Sequence, residues 1–101
     1  MIIYNVTIQV ETSIAQEWLI WLQNEHVPEI LGTGCFIYAR ILKLLETDEE
    51  GGLTYTIQYT AESKAAYNQY ISKYAPLLRQ KSFDQWGDRF IAFRSVMQVV
   101  E

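Results

Sequence analysis

Residues Ile2–Val10 read Ile-Ile-Tyr-Asn-Val-Thr-Ile-Gln-Val, apolar at every even position, with Asn5, Thr7 and Gln9 between. Side chains leave a strand on alternate faces, so this alternation specifies a strand apolar on one side and polar but uncharged on the other. Such a strand needs cover on one face only, and the rest of the chain must supply it. Leu53–Thr60 repeats the pattern, with Leu53, Tyr55, Ile57 and Tyr59 set against Thr54, Thr56, Gln58 and Thr60. Cys35–Glu46 is a strand pattern apolar on both faces, where Ile37, Ala39 and Ile41 alternate with Phe36, Tyr38, Arg40, Leu42 and Leu44. In the last stretch, Phe90–Val100, the core is expected to take Ile91, Phe93, Met97 and Val99. Arg94 and Gln98 then point the other way with Phe90, Ala92 and Val96.

Two helical patterns separate these strands. Thr12 or Ser13 is placed to cap the first, with Gln16 or Glu17 three or four residues on as in a capping box. Its apolar arc is wide: Ile14, Trp18, Trp21 and Leu22 form one stripe, and Ala15, Leu19, Leu22 and His26 its neighbour. Pro28 has no backbone donor and disfavours helical geometry before it, so a break or kink is expected there, with Gly32-Thr33-Gly34 as the stop. Asp48-Glu49-Glu50-Gly51-Gly52 reads as a hairpin loop between the second and third strands. Thr60 is placed to cap the second helix, whose stripe is Tyr67, Tyr70, Ile71, Tyr74 and Leu78. Pro76 kinks or restarts it, and Phe83 and Trp86 extend its buried side.

The order β-α-β-β-α-β is that of a ferredoxin-like α+β sandwich: one four-stranded antiparallel sheet with two helices on one face. Right-handed crossovers are expected to set strands one and three together at the centre, running parallel, with strands two and four at the edges. A chain of 101 residues suffices for one core, and residues 1–101 are read as one domain. The uncovered face then presents Asn5, Thr7, Gln9 and Gln58 at its centre and Tyr38, Arg40, Leu42 and Arg94 toward its rim. A face with an uncharged polar centre and large apolar residues around it is expected to be an interface. The simplest form is a homodimer in which two sheets meet across a twofold axis.

Charge and composition narrow the partners. Net charge is −4, divided as about −7 over residues 1–62 and +3 over residues 63–101. An acidic chain without a basic sheet face is a poor candidate for nucleic acid, whose binding rests on phosphate neutralisation. No apolar run approaches the roughly twenty residues needed to span a bilayer. The chain starts on a strand pattern without a leader-like segment, and its single cysteine, Cys35, excludes an internal disulfide. A cytoplasmic protein with neither nucleic-acid nor membrane partner is expected.

Five stretches point further: Tyr4-Asn5-Val6, His26-Val27-Pro28-Glu29-Ile30-Leu31, Thr54-Tyr55-Thr56-Ile57-Gln58-Tyr59, Tyr74-Ala75-Pro76-Leu77-Leu78-Arg79 and Phe93-Arg94-Ser95-Val96-Met97. Together, and over essentially the whole chain, they resemble a family of short bacterial proteins catalogued as a domain of unknown function. The resemblance implies a member of the dimeric α+β-barrel group of ferredoxin-like folds. That group includes cofactor-free monooxygenases, small-molecule isomerases and decarboxylases, and proteins without known activity. The family supplies no reaction, so no catalytic residue carries over from it.

The chemistry-bearing residues are few. His26 is the only histidine and the one side chain that ordinarily titrates near neutrality. It reads as a helix C-terminal residue complementing the helix dipole, or as a ligand contact, or as a base with Glu29 and a core tyrosine beside it. Cys35 lacks an orienting partner and reads as a small buried residue. One His, one Cys and scattered carboxylates give no metal-ligand spacing, so no metal and no cofactor is expected. Arg40 and Arg94 stand out as an anion-seeking pair, serving either an intersubunit acid or a ligand. Asn5, Thr7, Tyr38 and Gln58 complete the expected dimer cavity or ligand lining. Three functional classes remain open. They are a non-enzymatic small-molecule-binding or regulatory module, a cofactor-independent enzyme of monooxygenase or isomerase type with a helix–sheet pocket near His26, and a structural interaction protein.

Overall fold

The computed structural model describes residues 1–101. Strand β1 (Ile2–Val10) is buried at every even position and half-buried at every odd one, as its alternation requires. A short 3-10 turn over Thr12–Ile14 leads into helix α1 (Ala15–Trp21), a π turn over Leu22–His26, and helix α2 (Val27–Leu31). Strands β2 (Tyr38–Lys43) and β3 (Leu53–Ala61) follow, then helices α3 (Lys64–Lys73) and α4 (Ala75–Trp86) and strand β4 (Phe90–Gln98). The fold is the ferredoxin-like α+β arrangement that the element order specifies.

Within the sheet the order is β2-β3-β1-β4, and every neighbouring pair is antiparallel. The expected parallel pairing of the first and third strands is therefore wrong, although the two are central neighbours. Each helical crossover skips one sheet position, so the parallel strands are β1 with β2 and β3 with β4, each pair split by an antiparallel strand.

Local expectations fare unevenly. Pro28 does not break the first helical unit, which passes it by opening into the π turn directly before α2. A proline ring collides with the carbonyl four residues back in a regular α-helix, and a wider turn moves that carbonyl away. Neither Thr12 nor Ser13 makes a side-chain cap bond. Thr60 stays in the β3 ladder opposite Ile3, and Ser63 instead caps α3, its Oγ accepting from the Ala66 N–H at 3.1 Å. Pro76 sits in the first turn of α4, where its missing N–H costs nothing. The second strand is shorter than expected. Phe36 precedes it and turns inward, stacking on Tyr4 at 6.0 Å and meeting the Tyr70 ring edge-on at 4.9 Å.

The largest correction concerns β4. Its register places Arg94 opposite Val6, Ala92 opposite Ile8 and Phe90 opposite Val10, so Phe90, Ala92, Arg94 and Val96 lie on the helix side. Ile91, Phe93 and Met97 point to the open face, where Phe93 is 67% and Ile91 55% exposed. The core expected from these residues is instead built from β1, β3, the two helical units and Phe36, in one cluster around Trp18, Leu22, Ile57 and Tyr59. Phe83 is likewise exposed rather than buried.

Candidate functional site

A cavity of about 50 Å³ lies between the helical layer and the inward face of the sheet. Its floor is Tyr4, Val6 and Ile8 of β1 with Ile57 and Tyr59 of β3, and Trp18, Trp21 and Leu22 close it from above. Four polar groups converge on it from three directions: His26 from the π turn, Arg79 and Ser82 from α4, and Arg94 from β4. No carboxylate lines it. Both arginines are exposed and stand at the mouth, whereas the rings beneath them are buried.

The π turn places His26. In an α-helix, residues five apart lie on different sides of the cylinder. The wider turn brings Trp21 and His26 together, their rings stacked at 4.6 Å and 20°. Trp86 meets the other side of Trp21 edge-on at 5.8 Å, and its buried indole N–H has no acceptor. His26 is thus neither a helix C-terminal residue nor bonded to a carbonyl. Burial, set against the opposing pull of Glu29 and helped by the positive charges of Arg94 and Lys81, lowers its pKa to about 4. The imidazole is neutral at pH 7 and offers one donor and one acceptor.

Tyr4 anchors the inner wall. Its hydroxyl accepts a 3.0 Å bond from the Arg79 guanidinium, leaving its own proton free to donate. Its ring packs against Tyr59 at 5.9 Å and Tyr70 at 5.8 Å. Burial pushes the Tyr59 and Tyr70 phenols well above their usual range, so both stay protonated. Neither Arg79 nor Arg94 is paired with a carboxylate; the two ion pairs of the molecule are Lys43–Glu49 and Lys81–Glu29. The site is rich in donors and poor in acceptors.

The residues singled out from the sequence thus divide between two places. His26 and Arg94 meet in the helix–sheet cavity, with Glu29 close by on the outer surface and engaged by Lys81. Arg40, Asn5, Thr7, Tyr38 and Gln58 lie together on the open face. There the Arg40 Nε donates to Gln58 Oε1 at 3.2 Å, Asn5 donates to the Thr7 hydroxyl at 3.2 Å, and the Thr7 and Thr56 hydroxyls bond at 3.1 Å. Arg40 and Arg94 do not form a pair, because they occupy opposite faces of the sheet. Arg79, Ser82 and the Tyr4 hydroxyl were missed. A signal for two of them exists in Ala75, Arg79, Ser82 and Trp86, which recur at four-three-four spacing and so share one helix face.

Residues 1–100 match the family described as a domain of unknown function (DUF4286), and the chain belongs to that family. No curated protein gives a significant match. Among solved structures, the chain is similar to an ethyl tert-butyl ether d (ethd) family protein from Bacillus halodurans, with TM-score 0.71, 8% identity, and 99% and 100% of the two chains covered. It is also similar to SnoaB, a cofactor-independent oxygenase from Streptomyces nogalater, with TM-score 0.70 at 8% identity and 99% and 93% coverage. A dimeric ferredoxin-like protein from an uncultured marine organism gives TM-score 0.70 at 14% identity, with 99% and 95% coverage. At such identities these likenesses establish the fold.

Proposed function

We propose that this protein is a homodimeric small-molecule-binding or regulatory module whose ligand enters the cavity between helices and sheet. The observation that carries the reading is the convergence of His26, Arg79, Ser82 and Arg94 on one apolar, aromatic-floored cavity. A concave apolar site with a few polar groups aimed into it is the usual form of a small-molecule site. Dimerisation through the open face is supported by the exposed Tyr38, Leu42, Ile91, Phe93 and Met97, which surround the uncharged centre of Asn5, Thr7 and Gln58. The dimeric ferredoxin-like relative is in keeping with that arrangement. A cytoplasmic setting accords with the lone buried thiol of Cys35. No helix is long and apolar enough to cross a membrane.

A second reading, a cofactor-independent enzyme using His26 as base, draws support from the histidine's place in the cavity and from the oxygenase among the similar structures. Its weakness is chemical. A base works best with a pKa near the operating pH, and a value about 4 leaves His26 a feeble proton acceptor in the empty site. One experiment weighs the two readings: a thermal-shift collection of metabolites on the purified protein, with hits followed by mass spectrometry of the incubated ligand. A stabilising ligand recovered unchanged supports the binding module, and a converted ligand supports the enzyme. Stabilisation that survives Arg94→Ala and His26→Asn unaltered would remove this cavity from both.

A further inference from the structure

We infer that the occupant of the helix–sheet cavity is a small planar carboxylate, no larger than a single-ring aromatic acid, held at its carboxylate by Arg79 and Arg94 beside His26. This deepens the binding reading given above and rests on it. Four features of the cavity lead there.

Hydrogen-bonding chemistry comes first. Arg79 and Arg94 can only donate, the Tyr4 hydroxyl already accepts from Arg79 and has its proton left to give, and no carboxylate lines the space. A bound group must therefore bring acceptors. Charge is the second feature: two guanidiniums without carboxylate partners face one cavity, and a planar guanidinium matches a carboxylate in a two-bond fork. Third, aromatic residues are prominent in the lining, with Trp18, Trp21, Tyr59 and Tyr70 among its walls, which favours a flat, ring-bearing body over a branched one. Size is the fourth. About 50 Å³ holds only a few water-sized positions, too few for a fused polycyclic body.

The proton balance of the site agrees. The charged groups facing His26 are Glu29 on α2, Lys81 on α4 and Arg94 on β4, and Arg79 of α4 lines the same cavity. Lys81 is paired with Glu29, so Arg94 is the positive charge left without a partner. A carboxylate between the arginines cancels that charge and makes a proton on His26 easier to hold. Binding should then draw a proton onto His26 and strengthen as the pH falls from 7 toward 5, as long as the ligand itself stays ionised.

His26 is the only histidine, so its imidazole C2–H gives one resonance and reports on the site directly. The probes are benzoate, benzamide, benzylammonium and acetate, titrated into the purified 101-residue chain while this resonance and the tryptophan fluorescence are followed. Benzoate is expected to bind saturably and to raise the His26 pKa by at least one unit. Benzamide and benzylammonium should bind at least tenfold more weakly, and acetate should lose a similar factor for want of a ring. Arg94→Gln and Arg79→Gln, both at exposed positions, should each weaken benzoate at least tenfold with an unchanged circular dichroism spectrum. Benzamide binding as tightly as benzoate overturns the carboxylate assignment and leaves the cavity as a neutral-ligand site. Acetate matching benzoate overturns the planar-body assignment. If all four probes leave both signals untouched while a different compound moves them, the assignment falls and the binding module stands. A ligand that stabilises the protein without moving either signal overturns both.

Discussion

At the scale of single residues, His26 has the most to report. Its pKa is lowered from an ordinary 6.5 to about 4 by burial first, with the nearby positive charges adding to the effect. The unfolded chain therefore takes up a proton at a higher pH than the folded one. The stability that follows is complete above about pH 6.5 and is lost as the pH falls toward 4. A shift of this size corresponds to about 1–2 kcal/mol lost between pH 7 and pH 5, after discounting for partial exposure. Urea titrations at the two pH values should show that loss, and His26→Gln should remove most of it. An unchanged pH dependence in the variant would mean that the imidazole is better solvated than its stacking on Trp21 implies. None of this was legible in the sequence, where His26 occupied an α-helical stripe with Leu19 and Leu22. Its turn toward Trp21 comes from a π turn, which leaves no mark on hydrophobic spacing.

At the scale of elements, the faces of β1, β2 and β3 were read correctly and those of β4 were not. β1 and β3 alternate cleanly, and their buried residues are those the alternation marks. β4 carries Ile91, Phe93 and Met97 on one face and Phe90, Ala92 and Val96 on the other, so hydrophobicity could not choose between them. Because side chains alternate, an error of one residue exchanged the entire strand and carried Arg94 to the wrong side. Register against β1, with Arg94 opposite Val6, makes the choice. Helix starts were misread for a related reason, since Thr12, Ser13, Thr60 and Ser63 are all chemically fit to cap. The cap actually used, Ser63, satisfies the Ala66 N–H. Its replacement in Ser63→Ala should cost about 1 kcal/mol in chemical denaturation. Thr60→Ala should leave the start of α3 intact, because Thr60 lies within a β-ladder.

At the scale of the whole molecule, one side of the sheet is closed by helices and the other is open. The open side stays apolar with different residues, since Ile91, Phe93 and Met97 stand beside Tyr38 and Leu42 in place of Phe36, Phe90, Ala92 and Val96. A solvated edge strand gains nothing from an exposed phenylalanine, whereas a twofold sheet-to-sheet contact buries it twice. The wild-type protein should elute at twice the chain mass in light scattering. Phe93→Glu, at a position 67% exposed in the single chain, should shift it toward the monomer at micromolar concentration without unfolding it. A wild-type monomer at every concentration would refute the dimer. The sequence by itself determined the element order, and with it the ferredoxin-like class, and the faces of β1 and β3, because these follow from periodicity along the chain; the antiparallel pairing of the two central strands did not. Only the tertiary structure decided which face of β4 is covered, that Phe36 turns inward, and that Arg79 and Arg94 line one cavity with His26. Those outcomes depend on the register between strands and the width of one helical turn, and both are set by packing between segments far apart in the chain.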